Sequence, residues 1–315
     1  MMSSDRQTPS AGVAAAKPPQ GRKAIARARR REALSRGWSQ FRRHRAGMAG
    51  LGILVFFALA ALLAPVIFPP DTISVTRATG ELLAPPTGEY WLGTDDSGRS
   101  MLALLAWGAR VSLTVGIAAT LISMLIGTSV GIASGHYRGL GGAALQRLTD
   151  WVLVIPFLPL AIVLATVLGG GSILTIIVVI GVTSWAGTAR LIRAQTLSVE
   201  GRPYLERSRA LGSGNWHQMT RHVLPNVIPL VLANTTLTVA IAILSETTLS
   251  FLGLGDPLRP SWGATLDQAF SNGAISAGAW WYIVPPGLCV VLVVLSFTMI
   301  GRALEQIVNP RRGGR

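Results

Sequence analysis

The sequence predicts an all-α integral membrane protein with six transmembrane helices, on three observations. Half of the 315 residues are hydrophobic and only 13% are charged, with a mean hydropathy of +0.47, whereas a soluble domain carries about a quarter charged residues. Six apolar runs are each long enough to cross a hydrocarbon core of about 30 Å at 1.5 Å per residue. The net charge of +14 is segregated into the stretches outside those runs.

The runs cover residues 46–68, 111–135, 148–168, 173–189, 227–249 and 283–300. Before the first lies a tail, residues 1–45, with twelve of the 28 Lys and Arg, among them Arg27, Arg29, Arg30, Arg31, Arg42, Arg43 and Arg45. Residues 1–36 are rich in Ala, Pro, Ser and Arg with little periodicity, so they are expected to be mostly disordered. A basic tail can bind nucleic acid. Here it abuts a long apolar run, so membrane lipid with an anionic surface is the expected partner, and no nucleic acid. The first run is read as a span and not as a signal peptide, because its leader is too long and its apolar core exceeds about 15 residues. Residues 46–110 then hold the first helix and an external segment. Residues 111–305 form the core transmembrane domain, and residues 306–315 a basic C-terminal tail.

Orientation follows from Lys and Arg between the runs. Segment 69–110 sets Asp71, Glu81, Glu89, Asp95 and Asp96 against Arg77, Arg99 and Arg110. Loop 136–147 has Arg138 and Arg147, the turn 169–172 has no charge, and loop 190–225 has Arg190, Arg193, Arg202, Arg207, Arg209 and Arg221. Segment 250–280 has Arg259 against Asp256 and Asp267, and the C-terminal tail is basic again. Basic and non-basic stretches alternate throughout, which puts both termini and loops 136–147 and 190–225 on the cytoplasmic side.

Inside the spans, Ser123, Gly127, Gly131 and Gly135 repeat at a spacing of four, a smooth ridge for close helix packing. Pro156 and Pro159 should kink the third span. Glu246 is the one acidic residue well inside an apolar run, and it should face the bundle interior, a cavity or the outer interface. It has no intramembrane Lys, Arg or His partner in the sequence, which favours a structural or pathway-lining role over proton coupling. The four histidines, His44, His136, His217 and His222, avoid the middles of the runs, so no metal site and no catalytic constellation is expected. The single cysteine, Cys289, rules out a disulfide within the chain.

Loop 195–226 is long for a bundle connector. Pro203 suits the first turn of a helix over 203–211, and Gly212 fits the left-handed residue that ends it. Asn215 is placed to cap a second helix, with Gln218 completing a capping box, and Pro225 marks the entry to the fifth span. A helix-turn-helix on the membrane surface is the expected form; alone, it would equally suit an amphipathic interfacial hairpin.

At Glu206, Gly212, His222, Pro225 and Asn226 the loop resembles the cytoplasmic EAA loop of bacterial ABC-importer permeases. Trp91 to Arg99 (WLGTDDSGR), Gly108 to Leu113 (GARVSL), Gly187 to Leu191, Ala210 to Gly212, Arg221 to Asn226, Leu249 to Gly255 (LSFLGLG) and Ser261 to Gly263 resemble the C-type permease of the dipeptide and oligopeptide branch. The resemblance spans residues 40–305 in order. It implies a type I importer permease fold with cytoplasmic coupling helices in a bacterial inner membrane. It also implies an ATPase-coupling loop over Glu206, Arg207, Ala210, Leu211, Gly212, His222, Pro225 and Asn226. The implied partners are a homologous second permease of the B type, two ATPase subunits and an extracytoplasmic binding protein. Arg207 and Ser208 stand where the family has two alanines, which makes the docking surface bulkier and more basic.

The chain has no GxxxxGK[ST] run, so ATP would be bound by partner subunits and no cofactor is expected here. The implied solute is a peptide, with nickel complexes or glutathione as alternatives. An ion-coupled secondary transporter would call for paired intramembrane charges and an inverted repeat, and neither is clear in the sequence.

Overall fold

The computed structural model describes residue 35 and residues 37–308. The chain divides after Gln40, and the unit beginning at Phe41 carries every element named below. The disorder expected of residues 1–36 falls outside the described residues except at Ser35, and so do residues 309–315 of the C-terminal tail.

Helix α1 (Arg45–Ile67) is followed by an irregular segment and then by α2 (Met101–His136). Helix α2 begins ten residues before the apolar run predicted from 111. Met101, Ala103 and Leu104 are buried, and a cluster with Ala269, Trp281 and Tyr282 makes this first turn part of a core. With 36 residues, α2 runs for about 54 Å, well beyond a hydrocarbon core of about 30 Å.

The third run is broken more sharply than a kink. Helices α3 (Leu140–Val154) and α4 (Phe157–Val167) meet at 90°. Ile155 is extended (φ −74°, ψ 124°), as the residue before a proline tends to be, and Pro156 caps α4. Pro159 adds no second bend, because it sits in the first turn of α4, where no helical N–H is required.

Helices α5 (Ile173–Thr183) and α6 (Trp185–Glu200) form one span that ends eleven residues past the predicted limit at 189. Polar partners carry it on: Arg190 pairs with Asp150 at 2.8 Å, and Arg193 donates to the Ser134 carbonyl at 2.9 Å. Two short helices follow, α7 (Pro203–Ala210) and α8 (Asn215–Gln218). A π-helical turn (Met219–Val223) joins α8 to α9 (Leu224–Leu249), and a second one (Ser250–Leu254) ends it. Helices α10 (Trp262–Ser271) and α11 (Trp280–Val308) complete the bundle. Among the described residues, five helical stretches are long and apolar enough to cross a membrane, or six with the bent α3–α4 pair counted as one span.

Helix α2 is the centre. Its glycine ridge faces α6. A Cβ built on Gly127, Gly131 or Gly135 would lie 2.7 Å from the Trp185 carbonyl, 2.7 Å from the Ala189 carbonyl or 2.8 Å from the Thr196 Cβ. The backbones meet at a distance that only glycine permits.

The connecting segments gather at two ends. At one, Arg99 reaches Gln268, Trp281 donates to the Thr94 carbonyl, and the Gly171 N–H meets the Leu254 carbonyl. The segments with few basic residues, 69–100, 169–172 and 250–280, therefore share this acidic end. At the other, the C-termini of α2 and α6 meet the basic loop that holds α7 and α8.

The run from Trp91 to Arg99 organises the acidic end. Asp95 is fully buried and accepts from the Ser97 N–H (3.0 Å), the Arg99 N–H (2.7 Å) and Arg99 Nε (2.6 Å). Tyr282 Oη donates to Asp96 Oδ1 at 2.5 Å. Trp262 donates to the Leu105 carbonyl at 3.0 Å, fastening α10 to α2.

Candidate coupling hairpin

The basic end carries a hairpin made from α7, a tight turn and α8. Pro203 opens α7, Glu206 lies in its first turn, and Arg207 and Arg209 lie in its last. This order suits the helix dipole at both ends. The turn closes by two bonds, Gly212 N–H to the Arg209 carbonyl (2.9 Å) and Ser213 N–H to the Ser208 carbonyl (3.2 Å). Gly212 has φ +80°, the left-handed conformation expected of it, and the pattern is a Schellman motif.

The capping box expected at Asn215 does not form. Gly214 is the cap and Asn215 is already the first helical residue. The buried Gln218 side chain is engaged elsewhere: Nε2 donates to the Ser213 carbonyl at 2.6 Å, and Oε1 accepts from Arg209 Nε at 3.2 Å. The second arm of the hairpin also does not end before the fifth span. Its helix passes through the π-turn directly into α9.

The residues singled out in the loop separate into two groups. His222 and Asn226 face α7. Asn226 Nδ2 donates to the His222 carbonyl (2.7 Å) and Tyr204 Oη (3.2 Å), while its Oδ1 accepts from Arg202 (3.2 Å). His222 Nε2 lies 3.4 Å from Ser208 Oγ. Glu206, Arg207, Ala210, Leu211 and Gly212 face outward, as does Pro225 in the first turn of α9. Leu211 is 88% exposed and Trp216 76%. Among the described residues, the Glu206 and Arg207 side chains have no hydrogen bond or ion pair. The outward face thus combines bare apolar surface with unpaired charge.

What anchors this hairpin was not singled out in the sequence. Glu200, the last residue of α6, is buried and binds in two directions. Oε1 lies 2.7 Å from Nδ1 of His136, and Oε2 accepts from Nη2 of Arg209. One carboxylate therefore ties together the ends of α2, α6 and α7, and Arg209 continues the chain to Gln218. The only sequence signal was a glutamate closing an otherwise basic amphipathic stretch.

Glu246 lies apart from the hairpin, one turn before the end of α9, and is 1% exposed. Ser112 Oγ on α2 donates to its Oε2 and Ser250 Oγ to its Oε1, each at 2.8 Å. It is a hydrogen-bonded junction between α2 and α9.

Residues 127–314 match the family described as binding-protein-dependent transport system inner membrane component, and residues 33–86 match the N-terminal transmembrane domain of oligopeptide transport permease C. The chain is 33% identical over 275 residues to the dipeptide transport system permease protein DppC of Bacillus subtilis, covering 87% of this chain and 84% of that one. It is 35% identical over 236 residues to the oligopeptide transport system permease protein OppC of Lactococcus lactis (75% and 80%). It is 32% identical over 276 residues to the glutathione transport system permease protein GsiD of Pectobacterium atrosepticum (87% and 90%). These similarities bear out the resemblance drawn from Trp91–Arg99, Glu206–Gly212 and Leu249–Gly255. The chain belongs to the binding-protein-dependent transport system inner membrane component family.

Proposed function

We propose that this chain is the permease subunit of an ATP-driven importer and forms half of a translocation pathway for peptides. The observation that carries the reading is the hairpin: an outward face of Glu206, Arg207, Leu211 and Trp216, backed by a buried carboxylate that fastens it to α2 and α6. Such a hairpin can pass a partner's movement into the bundle. The partners are two ATPase subunits at the hairpin, a homologous B-type permease and an extracytoplasmic binding protein that delivers solute to the acidic end. ATP is bound and hydrolysed by the ATPase subunits.

The charge pattern supports a bacterial plasma-membrane orientation with the hairpin and both termini cytoplasmic. The names of the Bacillus and Lactococcus relatives support a dipeptide or an oligopeptide as solute. The Pectobacterium relative supports glutathione, itself a small peptide, as the alternative.

The test is uptake of labelled dialanine into vesicles holding the transporter with its partner subunits and binding protein. ATP sealed inside the vesicles, on the side of the hairpin and the ATPases, should drive uptake, and omission of the ATPases should abolish it. Uptake that follows an imposed proton gradient in ATP-depleted vesicles, and is lost in Glu246→Gln, would overturn the reading in favour of ion coupling.

A further inference from the structure

A cavity of about 580 Å³ opens at the acidic end, lined by Pro70, Trp107, Arg110, Thr114, Ile173 and Arg259 among others. Its size is that of an ordinary small-molecule site. Its charge sets it apart from its surroundings. The other two arginines of the acidic end are neutralised, Arg77 by Asp71 and Arg99 by Asp95. Among the described residues, the guanidinium groups of Arg110 and Arg259 have no carboxylate and no hydrogen-bond acceptor. Arg110 instead stands 5.7 Å from the centre of the Trp107 ring. That ring is itself held, because Trp107 Nε1 donates to the Phe68 carbonyl at 3.0 Å. Asp256, the acid nearest Arg259 in sequence, turns its carboxylate to the Leu258 N–H.

Arg110 also lies within α2, on the stripe that continues through Thr114, Ile117, Leu121 and Leu125, all exposed. Arg110 stands one residue before the apolar run that begins at 111, at the outer border of the span. Two unpaired guanidiniums and a hydroxyl at Thr114 lining one cavity suit a carboxylate, which accepts charge-assisted bonds from arginine N–H donors. We propose that this cavity binds a carboxylate of the passing solute, held by Arg110 and Arg259. The inference rests on the permease reading above and adds the chemical group by which the solute is gripped at the entrance.

The test uses the transporter with its partner subunits in nanodiscs of zwitterionic lipid. A Leu258→Cys reporter at the exposed rim of the same cavity, in a Cys289→Ala background, is labelled with a maleimide. Dialanine should slow the labelling several-fold, alanyl-alaninamide should not, and Arg110→Gln with Arg259→Gln should remove the protection. Acetate against chloride at equal ionic strength tests the site without the peptide reading, and protection by acetate that needs both arginines supports it. Uptake of labelled dialanine by the same proteins reconstituted into sealed vesicles of that lipid, with ATP on the hairpin side, reports on the reading separately. Equal protection by dialanine and its amide, or no protection by either dialanine or acetate, overturns the site even where dialanine is taken up. Protection produced by anionic phosphatidylglycerol alone would also overturn it, by assigning the arginines to lipid phosphate.

Discussion

Nδ1 of His136, the last residue of α2, lies 2.7 Å from Oε1 of Glu200, the last residue of α6, across 64 positions of sequence. The other oxygen of Glu200 accepts from Arg209 on α7. Glu200→Gln keeps the size of the side chain but leaves Arg209 without its counter-charge. The amide oxygen can still accept from Arg209, so what is lost is the charge assistance of that bond. That is about half of the 1.5–3 kcal/mol of a bond to a charged group, and the melting temperature should fall by a few degrees. The outward face of the hairpin is untouched, so the ATPases should still bind while solute taken up per ATP declines. An unchanged melting temperature together with an unchanged ratio would remove Glu200 from the transmission path.

Gly212 has φ +80°, and a Cβ built on it meets nothing within 4 Å. Any penalty for a side chain there is conformational, about 1–2 kcal/mol for an ordinary L-residue. Gly212→Val should insert and purify folded, with a melting temperature lowered by no more than a few degrees, yet lose the ATPase subunits or transport-coupled hydrolysis. Gly212→Asn, which tolerates the left-handed region, should retain more coupling. Wild-type assembly and uptake in Gly212→Val would sink the docking assignment.

Helix packing gives a paired prediction. In Gly131→Ala the added methyl meets the Ala189 carbonyl at 2.7 Å and the Ile192 Cβ at 2.8 Å, and overpacking of this kind costs about 1–3 kcal/mol. Gly187→Ala on α6 meets nothing within 4 Å and gains helix propensity of about 1 kcal/mol. Thermal melts in detergent should move in opposite directions for the two variants.

Glu246→Gln should retain ATP-driven uptake, since one serine hydroxyl can rotate to accept from the new amide while the other still donates. Glu246→Ala removes both acceptors and leaves Ser112 and Ser250 buried without them, at about 1–3 kcal/mol for each orphaned group. Uptake assays and melts on both variants separate a structural junction from a titrating one.

The charge pattern predicts that Ser74 and Ser271 face the outside and Ser213 the cytoplasm. Single-cysteine variants at these positions in a Cys289→Ala background can be labelled on whole cells with an impermeant thiol reagent. Labelling at Ser213 but not at Ser74 would reverse the orientation.

Much of this architecture was readable along the chain because its causes are local. Apolar length marked the spans, Pro156 marked the break in the third, and Gly212 marked the turn. The sites of disagreement depend on partners distant in sequence. Helix α6 continues past residue 189 because Arg190 and Arg193 find Asp150 and the Ser134 carbonyl. Gln218 abandons the capping box because Arg209 and the Ser213 carbonyl claim it. The same holds for Glu200, whose role becomes visible only when α2 and α7 are brought to it.

The seam between α2 and α6 has a mechanical consequence. From Gly127 to Gly135, main chain rests on main chain and on the Cβ and Cγ2 atoms of Thr188, Ile192 and Thr196, β-branched side chains that are stiff at χ1 in a helix. Side-chain rearrangement therefore absorbs little of a small relative shift of the two helices. They resist bending as a single thicker rod whose lower end is the Glu200 junction. A displacement applied there would be carried along the Gly127–Gly135 seam with little of it lost to compliance along the way.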